Sequence, residues 1–126
     1  MVSPQKLIIL LGLLIMTVSC EKEVEFAFEI DHLTDTRWGI PQINMHDPAL
    51  YEFDLSYPTI FNADGTMSVG GRTFNDWSIH SSRSLHLLQS RELWHIIALN
   101  PERLRVVKSR FPTGEFLAEC VYHPMD

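Results

Sequence analysis

The chain has 126 residues, of which 45% are hydrophobic, and its ten Lys and Arg face sixteen Asp and Glu, for a formal net charge of −6. This length suits a single domain with one hydrophobic core and excludes two. Because the few cations are spread along an acidic chain, the composition argues against a nucleic-acid-binding groove and against a surface for anionic lipid or phosphate.

The N-terminal region carries the pattern of an export signal. A single cation, Lys6, precedes an apolar run from Leu7 to Val18, which is shorter than the roughly 20 residues of a membrane-spanning helix. Such a run, ending in small residues, is typical of a signal that is removed from the mature protein. A buried core helix is the alternative, but nothing polar gives the run a second face. We predict a signal peptide over residues 1–19, and its loss with Lys6 changes the formal charge from −6 to −7.

The end of this signal, Val18-Ser19-Cys20, resembles the lipobox of bacterial lipoproteins. In that family the Cys becomes the first mature residue and carries acyl chains such as palmitate, and more than one chain makes the anchoring stable. The segment from Glu21 to Glu25 resembles the Lys-plus-acidic segment that sends lipoproteins of Bacteroidetes-type bacteria to the cell surface. The resemblance implies an outer-membrane protein tethered through Cys20, at the cell surface or on the periplasmic face. A secreted protein with an incidental Cys is the alternative.

The segment after Cys20 is predicted to be an acidic tether over residues 20–32, and the region from Ile40 to Pro58 is irregular. This region holds three prolines, which central strands exclude. We predict one short strand there, Leu50–Asp54, flanked by loops. Alternatively, Asp47 to Tyr51 starts a helical turn, with Pro at the first helical position.

From Asp31 onward, apolar residues alternate with polar ones and turn-forming residues recur at short intervals,. Asn62-Ala63-Asp64-Gly65 is typical of a hairpin turn that ends with Gly at positive φ. The pattern predicts an all-β antiparallel meander, and such a meander commonly closes into a barrel. The predicted strands are Thr59–Phe61, Thr66–Val69, Phe74–His80, Leu85–Leu88, Glu92–Leu99, Leu104–Lys108 and Glu115–His123.

Four short motifs resemble the lipocalin-like lipoproteins of Bacteroidetes: LTDTRW at 33–38, FNADGT at 61–66, WSI at 77–79 and WHIIAL at 94–99. In that family a Trp opens the first strand, a DGT hairpin sits in the middle, and a Trp strand and an apolar strand follow. Thr36 stands where the lipocalins have the Gly of their G-x-W motif. The resemblance covers most of residues 33–124 and implies a small lipocalin-like barrel of about eight strands over residues 33–126.

A barrel of eight strands is just wide enough to be filled by side chains or to hold one small ligand. Seven aromatic residues are predicted either to line an apolar ligand pocket or, alternatively, to form a packed core. They are Trp38, Phe61, Phe74, Trp77, Trp94, Phe116 and Tyr122. Cys120 has no disulfide partner once Cys20 is acylated, and it shares one strand face with Phe116, Ala118 and Tyr122. We therefore predict a buried small hydrophobe there, and not a nucleophile.

Three histidines raise the question of a metal site. If Trp77 and Ile79 face inward with Leu85 and Leu87, and if Gln89 pairs with Glu92 across the turn, then His80, His86 and His95 become neighbours on the outer face. Three imidazoles are a zinc- or copper-binding set. Because the arrangement depends on this assumed register and no carboxylate reinforces it, we predict exposed strand histidines and no metal.

Signatures of catalysis are absent from the sequence: there is no G-x-S-x-G, H-E-x-x-H or Gly-rich phosphate motif. Asp31-His32 and His46-Asp47 place acid beside base, but adjacent side chains of a strand point to opposite faces. We predict no enzymatic activity and no cofactor. Two functions stay open: a module that binds a small apolar ligand in the barrel mouth, and a structural or interaction lipoprotein with a packed barrel that docks a partner in a cell-surface complex.

Replacing Cys20 by Ala is expected to abolish lipid attachment, because the thiol sulfur is the predicted attachment point of the acyl-bearing lipid group. In cells fed an alkyne-bearing palmitate analogue, the parent chain should become labelled and the Cys20→Ala chain should not. Cys120→Ala is the matched control and should label like the parent. Equal labelling of the Cys20→Ala chain would contradict the lipoprotein assignment.

Overall fold

The computed structural model describes residues 25–47 and 55–125. The predicted signal peptide, Cys20 and the predicted strand Leu50–Asp54 lie outside these ranges, as does most of the alternative turn from Asp47 to Tyr51. Within these ranges, no helix has the length and the hydropathy needed to cross a membrane.

One short helix and nine strands make up the described part of the chain. The helix, α1, spans Ile30–Thr34. The strands are β1 (Arg37–Trp38), β2 (Gln42–His46), β3 (Thr59–Phe61), β4 (Thr66–Val69), β5 (Arg72–Ser81), β6 (Ser84–Leu87), β7 (Glu92–Asn100), β8 (Arg103–Arg110) and β9 (Phe116–Tyr122).

The strands form one antiparallel sheet in the order β1-β3-β4-β5-β6-β7-β8-β9-β2. From β3 to β9 each strand pairs with the next one along the chain, and the sheet curls into a half-barrel. The predicted all-β antiparallel meander is therefore confirmed. The seven strands predicted from Thr59 onward match β3 to β9 to within about two residues at each end.

The strands β1 and β2 form one bent strand that lies along β9 and the residues after it. β2 pairs with residues 118–121 of β9. β1 continues along the residues that follow β9, where Gly39 N–H donates to His123 O at 2.8 Å and Met125 N–H donates to Arg37 O at 2.7 Å. β1 also pairs with β3, so at this end of the curl the first run contacts both the second and the last strand. Counted as one strand, β1 and β2 give the predicted total of about eight.

The sequence patterns did not reveal β2 or α1. The prediction of a loop over Gln42–His46 is wrong, because the backbone of this segment pairs with β9. The five residues of β2 do alternate between polar and apolar, but the prolines at 41, 48 and 58 favoured a loop over this region,, and all five residues are exposed. α1 is a single turn with Leu33 as its buried residue, and one turn is too short to display a helical hydrophobic period.

Two side-chain hydrogen bonds fix the passage from α1 into β1. Thr36 Oγ1 donates to His32 O at 2.9 Å, and Trp38 Nε1 donates to Leu33 O at 3.2 Å. Leu33 and Trp38 are both fully buried. The Thr that departs from the G-x-W pattern therefore satisfies a carbonyl of the helix, and the Trp of the same motif anchors α1 to the core.

The folded part of the chain starts before the predicted boundary at Leu33. The rings of Phe26 and Phe28 pack against the core, and their centroids lie 5.6 Å apart. Ala27 N–H donates to Ser82 O at 2.7 Å. Part of the predicted tether therefore belongs to the domain.

The predicted hairpin turn between β3 and β4 is present, with Gly65 at a φ of 94°. Asp64 Oδ1 accepts hydrogen bonds from the hydroxyl of Thr66 at 2.6 Å and from the backbone N–H of Thr66 at 2.9 Å. The hydroxyl bond first, and then the backbone bond, hold the pKa of Asp64 below its ordinary value of 3.8. The next turn uses Gly70 and Gly71 at positive φ, as a two-residue hairpin loop requires.

Replacing Thr66 by Val is expected to raise the pKa of Asp64 toward 3.8, because the main hydrogen bond to the carboxylate is lost. Since the folded state lowers this pKa, the bond stabilises the hairpin above pH 3.8 and is lost as the pH falls through the folded-state pKa,. An NMR titration of the Asp64 carboxyl carbon measures the shift. Thr73→Val is the control and should leave this pKa in place; an unchanged pKa in Thr66→Val would refute the assignment.

Candidate functional site

Four of the seven predicted aromatic residues fill the inside of the curl. Trp38, Phe61, Trp94 and Tyr122 are fully buried. The ring centroids of Phe61 and Trp94 lie 5.6 Å apart, edge to face, and those of Trp94 and Tyr122 lie 5.7 Å apart in a stacked arrangement. These separations are those of rings in direct contact, so the rings pack against one another and form a core.

The other three predicted pocket residues lie elsewhere. Phe74 and Trp77 are half-buried at the margin of the core, where Trp77 Nε1 donates to Asn62 O at 3.0 Å. Phe116 is 38% exposed, so its predicted place on the inner face is wrong. The cause is a register shift in β9 beside Leu117, because a one-residue slip moves a side chain to the opposite face. Cys120, predicted to be a buried hydrophobe, is fully buried.

Two charged side chains lie inside the half-barrel. Lys108 is 0% exposed and Glu92 is 1% exposed. Lys108 Nζ donates to Tyr122 Oη at 2.7 Å and lies 4.1 Å from the centroid of the Trp94 ring. Trp94 Nε1 donates to Glu92 Oε1 at 3.2 Å. We call these four residues the interior polar group.

Strand alternation explains why these charges are inside. On β7 every second residue from Glu92 to Ile96 is buried, and on β8 Val106 and Lys108 occupy the same alternating series. Trp94 pairs directly with Lys108, which puts Glu92 diagonally across from Lys108 on the same face. Neither residue was predicted to be buried, because charge normally signals solvent exposure. The two-residue period was the signal that locates them.

The interior polar group supplies opposite charges and hydrogen-bond partners within a space closed to water. A buried charge needs such partners, because its desolvation is costly. The ammonium group also lies over the electron-rich face of an indole, which is a cation–π contact. The arrangement therefore ties β7, β8 and β9 together through polar contacts, and its enclosure leaves Lys108 no exposed surface to present to a ligand.

The register around the predicted histidine cluster differs from the assumed one. Glu92 pairs with Leu87 and not with Gln89, because the turn between β6 and β7 is longer than assumed. The difference is two residues, so the faces are unchanged, and Trp77 pairs with Leu87 as expected for one shared face. Ile79, which was expected to face inward, is 36% exposed beside an irregularity that shifts the pairing of β5 with β6.

Two of the three histidines come close to each other on the outer face. The rings of His80 and His86 lie 6.3 Å apart, and the Phe111 ring lies 5.5 Å and 4.6 Å from them respectively. In residues 25–47 and 55–125, no group of three or more His, Cys, Asp or Glu is placed to hold a metal ion. The pair is therefore a surface aromatic cluster with Phe111.

The run formed by Gly39 to His46, which we call the edge segment, presents apolar side chains to solvent. Ile40 is 61% exposed, Ile43 is 38% exposed and Met45 is 60% exposed. Within the described ranges, β2 has β9 as its one strand neighbour. The segment also contains no Asp, Glu, Lys or Arg, although the chain is acidic overall.

No family model matches this chain, and neither a curated protein nor a solved structure matches it. The kinship with lipocalin-like lipoproteins therefore stays a prediction from the motifs.

Replacing Lys108 by Met is expected to lower the free energy of unfolding by about 3–5 kcal/mol, because the carboxylate of Glu92 then lies buried without the opposite charge. The double variant Glu92→Gln/Lys108→Met removes both charges and should recover much of this loss. Arg103→Met, which removes an exposed cation, is the control and should change stability by less than about 0.5 kcal/mol.

Urea unfolding monitored by circular dichroism measures all four proteins. A Lys108→Met variant as stable as the parent, or a double variant less stable than Lys108→Met, would show that the two charges do not compensate each other.

Proposed function

We propose that this protein is an envelope lipoprotein, tethered to the outer membrane through Cys20, whose barrel docks a partner protein through its outer surface. The observation that carries the proposal is the filled interior. A carrier of the lipocalin type holds its ligand inside the barrel, and here the Trp94 ring lies inside the half-barrel in contact with the rings of Phe61 and Tyr122.

The edge segment is the part of the outer surface that best fits a protein partner. An edge strand offers backbone N–H and C=O groups for pairing with another chain. The centres of protein interfaces are depleted in charged residues and enriched in Met, and this segment is uncharged and exposes Met45 together with Ile40 and Ile43. The partner surface it suits is therefore apolar and uncharged, with an extended strand available to lie beside β2.

A photo-crosslinking amino acid placed at Met45 in living cells tests this docking. We expect one discrete crosslinked product, and we expect the same amino acid at Ser78, on the exposed face of β5, to give none. In a chain that also carries Ile43→Lys, the product should fall about tenfold, because a charge would have to be buried against an apolar partner.

Each result bears on the proposal. A product from Met45 that is lost with Ile43→Lys supports docking at the edge segment. No product from Met45, an equal product from Ser78, or a product that persists with Ile43→Lys would refute it. Circular dichroism of the purified Ile43→Lys chain establishes that the variant is folded.

A further inference from the structure

A groove with a volume of about 360 Å³ lies on the outer face of the sheet where β1, β3 and β4 meet the C-terminal residues. This volume is within the range of about 300–1,000 Å³ that is typical of small-molecule sites. The groove is separate from the core, because its strand residues point away from the buried side chains of the same strands. The side chains that line it include Arg37, Tyr57, Pro58, Ile60, Ser68 and Met125.

The floor of the groove is a row of three side chains on neighbouring strands. Arg37 pairs with Ile60, and Ile60 pairs with Ser68. Neighbouring strands lie about 4.8 Å apart, so the apolar side chain of Ile60 separates a cationic group from a hydroxyl group. The groove therefore has an apolar centre with one polar group on each side.

The end of the groove is shaped by an aromatic ring and a glycine turn. The Tyr57 ring lies so close to Gly70 that a Cβ atom at Gly70 would come within 3.2 Å of it. A Cβ atom at Gly71 would have no other atom within 4 Å. The absence of side chains at this turn keeps the groove open beside the ring.

Within residues 25–47 and 55–125, Arg37 is the charged side chain that lines the groove. None of the described lining residues carries a carboxylate. Among the residues that the structure describes, no ion pair engages the Arg37 guanidinium. Ser68 Oγ accepts a hydrogen bond from Asn62 Nδ2 at 3.2 Å, so its own hydrogen is available for donation. Both polar groups therefore favour an anion.

We propose that this groove binds an apolar monocarboxylate, such as a single-chain fatty acid. The carboxylate accepts two parallel hydrogen bonds from the Arg37 guanidinium, which is the geometry that Arg and a carboxylate form most favourably. The hydrocarbon chain lies over Ile60 and Pro58 toward the Tyr57 ring. This site is on the outside of the barrel and is distinct from the filled interior and from the docking of a partner protein.

Titration of sodium decanoate into the mature chain carrying Cys20→Ala tests the proposal, because the full mature sequence is then free of acyl chains and needs no detergent. Binding is measured by calorimetry, and NMR of methyl groups reports its location. We expect the largest shifts at Met125 and Ile60. Decanol, which has the same chain without the charge, should bind at least about tenfold more weakly.

Arg37→Gln should weaken decanoate binding about tenfold, the loss expected for a charge-assisted contact. Arg103→Gln removes a cation of the same kind outside this groove and should bind like the parent. Ile60→Glu places a like charge on the floor and should abolish binding.

Four results would overturn the proposal. They are no binding of decanoate, equal binding of decanol, unchanged binding by Arg37→Gln, and shifts centred on the buried residues. Far-ultraviolet circular dichroism verifies the fold of each variant.

Discussion

The packing of the Trp94 indole is the interaction on which the rest of this structure depends. The indole lies against Phe61 from β3 and Tyr122 from β9, so it joins strands from opposite ends of the meander. Its face receives the ammonium group of Lys108, and its N–H is satisfied by Glu92. A single side chain therefore links β3, β7 and β9 by apolar contact and also contacts two buried charged groups.

This packing is the reason that we propose a function for the outer surface and not for the inside of the half-barrel. A space occupied by rings at van der Waals separation has no room for a second molecule. The described surface, in contrast, has an uncharged edge strand with exposed Ile43 and Met45 and a groove lined by the cationic side chain of Arg37. A tether at Cys20, as predicted, would keep both features close to the membrane.

The sequence predicted the part of the fold that is encoded locally. The turn at Asn62 to Gly65 and the alternation from Thr59 onward identify seven strands, because turn chemistry and a two-residue period are local properties. β2 was missed because the surrounding prolines favoured a loop and because its pairing with β9 joins residues far apart in the chain. Phe116 was misplaced because a register shift beside it moves it to the other face. Lys108 and Glu92 were missed because their charge indicated exposure, although the two-residue period of β7 and β8 places them on the buried face.

Xenon binding measures most directly whether the interior is filled, since xenon enters apolar cavities that lack side chains. Crystals of the protein can be pressurised with xenon and examined by anomalous scattering. We expect no xenon in the space bounded by Phe61, Trp94 and Tyr122. A xenon atom bound there would show an interior open to a small apolar molecule and would contradict the filled barrel from which the outer-surface function is argued.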